Sequence, residues 1–384
     1  MKVGGARVTW LELFYDLVVA ASMLVVYSTL AKDQSPWNRG WQHLVVLVVF
    51  LFWLMTSLAL NRLESANNYV RTLVFVQMGA LLVAVLAASV SGSVSGNIGV
   101  GALSIVLLTI SGLTFEVGRK STIASKVQKR GGIAGLLIAL ALGINAFTPE
   151  AFNAPAMTAV FFLLAVAYLF FFLPRVDRRF PIDRDHLAER MGQLLLIVMG
   201  ETFFEVVLAY KEGMEAHIFG IALVITMLGL TWALYFDSIW PAGRPRGSYA
   251  LVVWICGHAL AAVGIGQASI GLSRIAVREE GNALVFLTDA TLVYALMGTF
   301  LGFAIIVWAI YPRTWRLIAT LTAAAMIFWA FGLSTEALAG IDIQVQGAVV
   351  AALLLITVIL SSRFSRKAGS LPAHDLNDAR THVE

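Results

Sequence analysis

The hydrophobic positions of this chain come in blocks of roughly 16 to 24 residues separated by short polar stretches, not as one-sided stripes or strict alternation. A helix rising 1.5 Å per residue needs about that length to cross hydrocarbon. An amphipathic soluble helix would keep a polar face, and a membrane barrel would alternate over segments of about ten residues. The pattern therefore predicts an all-α polytopic membrane protein, because helices satisfy their own backbone polar groups inside a bilayer. Spans are predicted near residues 10–31, 42–60, 69–91, 97–116, 131–147, 156–173, 188–210, 216–237, 249–272, 286–310, 315–332 and 346–361, about 12 transmembrane helices. The fifth and the last two are short for a bilayer, so eleven is the alternative count.

The spacing of a few residues suggests internal repetition. Glu12 matches Glu189 at an offset of 177, Trp53 matches Trp232 at 179, and Tyr69 matches Tyr249 at 180. With six spans in each half, the second half begins on the side where the first began, which predicts two parallel six-helix repeats. The boundaries are 1–180 for the first half, 181–361 for the second and 362–384 for a polar tail expected to be disordered in the cytoplasm. Chance matches among abundant residues are the competing explanation, and the fourth to sixth spans of the halves offer no matching pairs.

Composition sharpens the class. Of 384 residues, 59% are hydrophobic and 13% charged, so a single soluble core could not use all the apolar blocks. The 27 Lys and Arg residues divide 22 to 5 between the two sides when the twelve spans are alternated. Positive charge is retained on the cytoplasmic side, which predicts a multi-pass protein of a bacterial inner membrane with both termini cytoplasmic. The net charge of +4 then serves the anionic headgroups of that leaflet, and nucleic-acid binding is not implied. A lone cysteine, Cys256, excludes a disulfide framework. Acids at positions 12 and 16 spoil the apolar core of a signal peptide, so the first span is expected to remain in the mature protein.

Acids inside such spans are the candidate chemistry, since a carboxylate in hydrocarbon must be paired, hydrated or protonated. Glu12 and Asp16 lie four apart and share a helix face near the cytoplasmic surface, where two like charges favour holding one proton between them. They are a proton-carrying dyad or, with Arg7, Arg190 or a loop arginine, a salt bridge that sets helix depth. Glu189 and Arg190 open the seventh span, and Gln193 holds the place that Asp16 holds in the other half. Glu201 lies twelve residues beyond Glu189, about 18 Å deeper along the helix, with no Lys or Arg at that depth. It is expected to be protonated, hydrated or bound to a cation, and Glu205, one turn on, is a secondary candidate.

Asp183, Asp185, His186 and Glu189 have donors that a divalent cation can use, but an Asp just before a helix caps its free amides, and no metal is assigned. His186 and His258 remain secondary candidates, His258 being read first as a satisfied packing histidine. Asp237, Asp289, Glu116 and Glu336 fall near span ends and read as interfacial. Gly99-x-Gly101 and Gly264-x-Gly266 sit within apolar spans, where small residues let helices approach closely. No nucleophile with a base partner is visible, so no catalytic residue, enzyme activity or cofactor is expected.

The strings Arg7-Val-Thr-Trp-Leu-Glu-Leu-Phe-Tyr-Asp-Leu17, His186-Leu-Ala-Glu-Arg-Met-Gly192 and Ile197-Val-Met-Gly-Glu-Thr202 resemble those of the bacterial low temperature requirement A (LtrA) family. That family usually has Phe where Tyr15 stands and Val-Phe-Val where this chain has Val18, Val19 and Ala20; the acids are intact. The resemblance implies a multi-span inner-membrane protein linked by name to growth in the cold. Residues and resemblance together point to a secondary transporter or permease, coupled to protons or cations, in which Glu12, Asp16, Glu189, Arg190 and Glu201 line a path for ions or a small molecule. The alternative is a membrane sensor or scaffold linked to cold adaptation, whose buried acids only hold helices together.

Overall fold

The computed structural model describes residues 8–32, 36–63, 66–89, 93–120, 125–147, 160–211 apart from 161 and 165, 215–278 apart from 217, 291–310, 314–333 and 343–369. Twelve α-helices lie among them: α1 Trp10–Lys32, α2 Pro36–Leu60, α3 Asn68–Ala88, α4 Ser93–Lys120, α5 Ser125–Asn145, α6 Leu173–Arg179, α7 Arg184–Lys211, α8 Ile218–Ala233, α9 Ser248–Ala276, α10 Thr291–Ile310, α11 Trp315–Leu333 and α12 Ile343–Gly369. Strand pairing among these residues is confined to Glu215–Ala216 against Val277–Arg278. The all-helical class predicted from the hydrophobic blocks is the one observed.

Among the described residues, nine helices are long and apolar enough to cross a membrane. The other three predicted spans differ for identifiable reasons. The seventh, α7, has 28 residues but carries seven Asp, Glu, Lys and Arg residues, among them Arg190 and Glu201. In α11 the apolar stretch is limited to Trp315–Phe331, and the sixth predicted span, 156–173, lies partly outside the described residues. At the C-terminus α12 runs on to Gly369, into the predicted tail, and residues 370–384 are outside the described set.

Several helix starts are fixed by side chains. Glu12 N donates to Thr9 Oγ1 at 3.3 Å while Thr9 N donates to Glu12 Oε2 at 2.9 Å, the reciprocal capping box of a Thr-x-x-Glu sequence. Asn67 accepts from Val70 N at 2.9 Å to start α3, and Asp183 accepts from Asp185 N and His186 N at 3.0 and 3.1 Å to start α7. Two helices widen into π turns, Tyr168–Phe172 and Leu234–Ile239, each ending two residues before a proline, Pro174 or Pro241. A proline removes one N–H donor and crowds the preceding turn, which a π turn relieves.

The chain separates into two compact units. The first comprises 1–205, 247–252 and 265–270; within it α3, α4 and α5 pack in succession, and α1 lies against α2 and α3. The second comprises 206–246, 253–264 and 271–384, in which α10 packs on α11 and α12 packs on α8 and α11. Within the second unit α9 and α10 meet backbone to backbone: a Cβ on Gly264 would lie 2.5 Å from Thr299 Oγ1, and one on Gly302 would lie 2.6 Å from Ala261 N. In the first unit a Cβ on Gly266 would lie 2.4 Å from the Tyr27 ring, so both glycines of the Gly264-x-Gly266 string mark close approaches. Of the residues that suggested a repeat, Trp53 is wholly buried whereas Trp232 is 44% exposed.

Candidate buried carboxylate and arginine site

The helical period sets the site. Glu12 and Asp16 are four apart on α1, and His186 and Arg190 are four apart on α7, so each pair occupies one face of its helix. The two faces meet as a ladder within the first unit. His186 Nε2 lies 3.4 Å from Glu12 Oε1, and one turn on Arg190 forks onto Asp16, donating Nη2 to Oδ1 and Nε to Oδ2 at 3.4 Å. Arg190 Nη1 lies diagonally 3.5 Å from Glu12 Oε1.

From α2, Trp53 donates its indole N–H to Asp16 Oδ1 at 2.6 Å and presents its ring to the Arg190 guanidinium at 5.6 Å. The four ladder groups are enclosed: Asp16 and Arg190 have no exposure, Glu12 has 4% and His186 7%. Asn61, beyond the end of α2, ties the ladder's outer rung to the chain. Its Nδ2 lies 3.1 Å from His186 Nδ1 and donates to Asp183 O at 2.8 Å, while its Oδ1 accepts from Asp183 N at 2.9 Å. An Asn61 amide donating to Nδ1 leaves the His186 proton on Nε2, aimed at Glu12.

The charges do not cancel. Two carboxylates face one guanidinium, leaving one negative charge when His186 is neutral and none when it is protonated. A buried charge without compensation is costly, so the imbalance is the cluster's distinguishing electrostatic feature. Beside it lies a second polar layer, in which Tyr15 Oη and Gln77 Nε2 donate to Thr56 Oγ1 at 3.4 and 2.8 Å.

The family strings are the sequence of this ladder. A family model described as bacterial low temperature requirement A protein (LtrA) matches residues 7–360. The chain belongs to the LtrA family. None of the curated proteins compared with it matches. In LtrA terms, the first string supplies the capping box and both acids, and the second supplies His186 and Arg190. Arg7, the other cation considered for the acids, lies outside the described residues.

The remaining candidates of this LtrA-family chain fall in distinct settings. Glu189 is exposed on α7, although its neighbour Arg190 is wholly enclosed, because consecutive residues on a helix point about 100° apart. Gln193 is half-buried, with Oε1 enclosed and without a hydrogen-bond partner. Glu201 is buried and makes no hydrogen bond or ion pair with any described residue, and the neighbouring Thr202 hydroxyl is enclosed and unpartnered too. Glu205 is buried and has a partner.

His258, in the second unit, is satisfied at both nitrogens: Nδ1 donates to Trp254 O at 2.8 Å and Nε2 accepts from Tyr235 Oη at 2.9 Å. That is the geometry of a neutral packing histidine. Glu116 is buried but paired with Arg119 at 3.0 Å, Asp237 is exposed, and Asp289 and Glu336 lie outside the described residues. No group of three or more His, Cys, Asp or Glu among the described residues is placed to hold a metal ion.

Three supports of the site were not singled out from the sequence: Thr9, Asn61 and Asp177. Thr9 was readable, as a Thr three residues before a Glu at the head of an apolar run. Asp177 accepts from Ile182 N, Arg184 Nη2 and Ser248 Oγ at 3.0, 2.8 and 2.6 Å, anchoring the segment that leads into α7. No local pattern marks Asn61 or Asp177, because their partners lie on other elements.

Proposed function

We propose that this LtrA-family membrane protein is a proton- or cation-coupled secondary transporter or permease, not an enzyme, with α7 as its working helix. The observation that carries the reading is the residual negative charge of the Glu12, Asp16, Arg190 and His186 ladder, which one proton or cation neutralises. Glu201 is the second stage. It lies eleven residues beyond Arg190, about 16 Å along α7, and is buried without a partner. Such an acid in a membrane helix suits transient occupancy by the ion that leaves the outer rung. In this reading twelve spans in two parallel repeats cross the bacterial inner membrane with both termini in the cytoplasm, and the 22 to 5 division of basic residues supports that orientation.

Glu201→Gln keeps the shape of the side chain and removes its charge. In proteoliposomes it is expected to abolish ion-gradient-driven flux while the protein elutes and melts as the wild type does. Unchanged flux rejects the role.

A second reading, a sensor or scaffold connected with growth in the cold, is favoured by the inner rung. Asp16 has its acceptors filled by Arg190 and Trp53 and no exposure, which suits a permanent clasp. The two readings part at Glu12 and Glu201, which a clasp does not require to exchange anything.

A further inference from the structure

A separate cavity of about 970 Å³ opens within the first unit, between α2, α4, α5 and the segment ending in α6. Small-molecule sites run from roughly 300 to 1,000 Å³ and take a few placed polar groups. This one is at the top of that range, and its walls are hydrocarbon, with Phe52, Met55, Leu58, Leu107, Ile110 and Ile138 among them. Small residues on α5, Gly131, Ala134 and Gly135, line one wall, and Gly135 lets α5 approach Ser111 on α4 closely.

Its polar character is concentrated in arginine. Arg62, Arg130, Arg175, Arg178 and Arg179 all line it, from the end of α2, the start of α5 and α6, and no carboxylate is among the described residues that line it. None of the five forms a salt bridge among the described residues. Arg175 and Arg178 turn back to the carbonyls of Phe171 and Pro174. Arg62 donates Nη1 to Leu58 O at 3.3 Å, stacks over Phe180 and has the Tyr168 hydroxyl and the Asp177 carboxylate in its neighbourhood, but its Nε and Nη2 are enclosed and make no hydrogen bond of good geometry. Enclosed guanidinium donors without a well-formed hydrogen bond are costly, and a planar fork of this kind matches a phosphate.

We propose that this cavity holds an anionic phospholipid, its acyl chains between α2, α4 and α5 and its phosphate on Arg62 and the α6 arginines. Charge complementarity selects that occupant. A zwitterionic lipid offers the same hydrocarbon but returns a positive charge to a mouth with five arginines, and a soluble anion leaves the apolar walls uncovered. The site is distinct from the carboxylate ladder, none of whose members lines the cavity.

The test is native mass spectrometry of the delipidated full chain, mixed in turn with phosphatidylglycerol, phosphatidylcholine and inorganic phosphate. Phosphatidylglycerol is expected to be retained at least about tenfold more strongly than phosphatidylcholine. Replacing the α6 arginines together, Arg175→Gln, Arg178→Gln and Arg179→Gln, is expected to erase that preference. Ala134→Phe, which fills the cavity and touches no charge, is expected to lower retention of phosphatidylglycerol to a similar degree. Equal retention of the two lipids, retention untouched by Ala134→Phe, or phosphate binding with no lipid bound overturns the assignment. A change of oligomer mass in Ala134→Phe with lipid retention intact gives the cavity to a second copy of the chain and overturns it as well.

Discussion

Arg190→Met is expected to destabilise the protein by about 3–5 kcal/mol, the range for removing one partner of a buried ion pair. The substitution preserves much of the volume and leaves Glu12 and Asp16 four residues apart on one enclosed face of α1 with no guanidinium between them. Trp53 still donates to Asp16, but one indole N–H cannot offset a full charge. Asp16→Asn is expected to cost less, because the amide oxygen still accepts from Trp53 and the remaining Glu12 and Arg190 charges balance. Adding Asp16→Asn to Arg190→Met should therefore recover part of the loss, a coupling that independent sites would not show. The readout is the temperature at which half of each purified variant leaves the monodisperse state in detergent. Equal temperatures for wild type and Arg190→Met would remove the ladder as a structural element.

Gly302→Leu in the second unit is the other large effect. A Cβ at this position would lie 2.6 Å from Ala261 N and 2.7 Å from Gly257 O, and backbone atoms cannot swing aside as a side-chain tip can. The helices α9 and α10 must part, and the close contact that substitutes for a hydrophobic driving force inside a bilayer is lost. The expected cost is at or above the upper end of the about 1–3 kcal/mol typical of overpacking. Gly298→Ala, one turn earlier on α10, is the matched control: its Cβ would sit 3.8 Å from Leu260 Cδ1, an ordinary contact. It should melt within a degree or two of the wild type. If both variants melt alike, the close approach of α9 and α10 is not what holds them.

These two regions also show what the sequence made legible. Gly264 could be picked out because a small residue in an apolar span has few other uses, and Glu12, Asp16 and Arg190 because charge in hydrocarbon demands compensation. Trp53 could be seen but not assigned; as an apolar residue in an apolar block, nothing local says that its N–H meets an acid 37 positions away. Glu189 and Arg190 illustrate the limit of matching by offset. The spacing aligned Glu189 with Glu12, yet the residue that reaches Glu12 and Asp16 is the next one along, on a different face of α7. Residues 188–210 of α7 read as a span in the sequence, whereas the ionisable groups of that helix keep it out of the hydropathy pattern that nine other described helices satisfy.

The ladder's residual charge is the feature on which the transport reading depends, and Glu12→Gln removes that charge without removing the side chain. Gln at the third helical position can still complete the capping box with Thr9, so stability should change little. The decisive measurement is the transient current that follows a pH jump applied to proteoliposomes on a solid-supported membrane, which needs no knowledge of the transported substrate. Wild-type protein is expected to give a charge displacement absent from protein-free liposomes, and Glu12→Gln to lose it while melting at nearly the wild-type temperature. A wild-type response no larger than that of protein-free liposomes, or one that survives Glu12→Gln intact, would contradict the account.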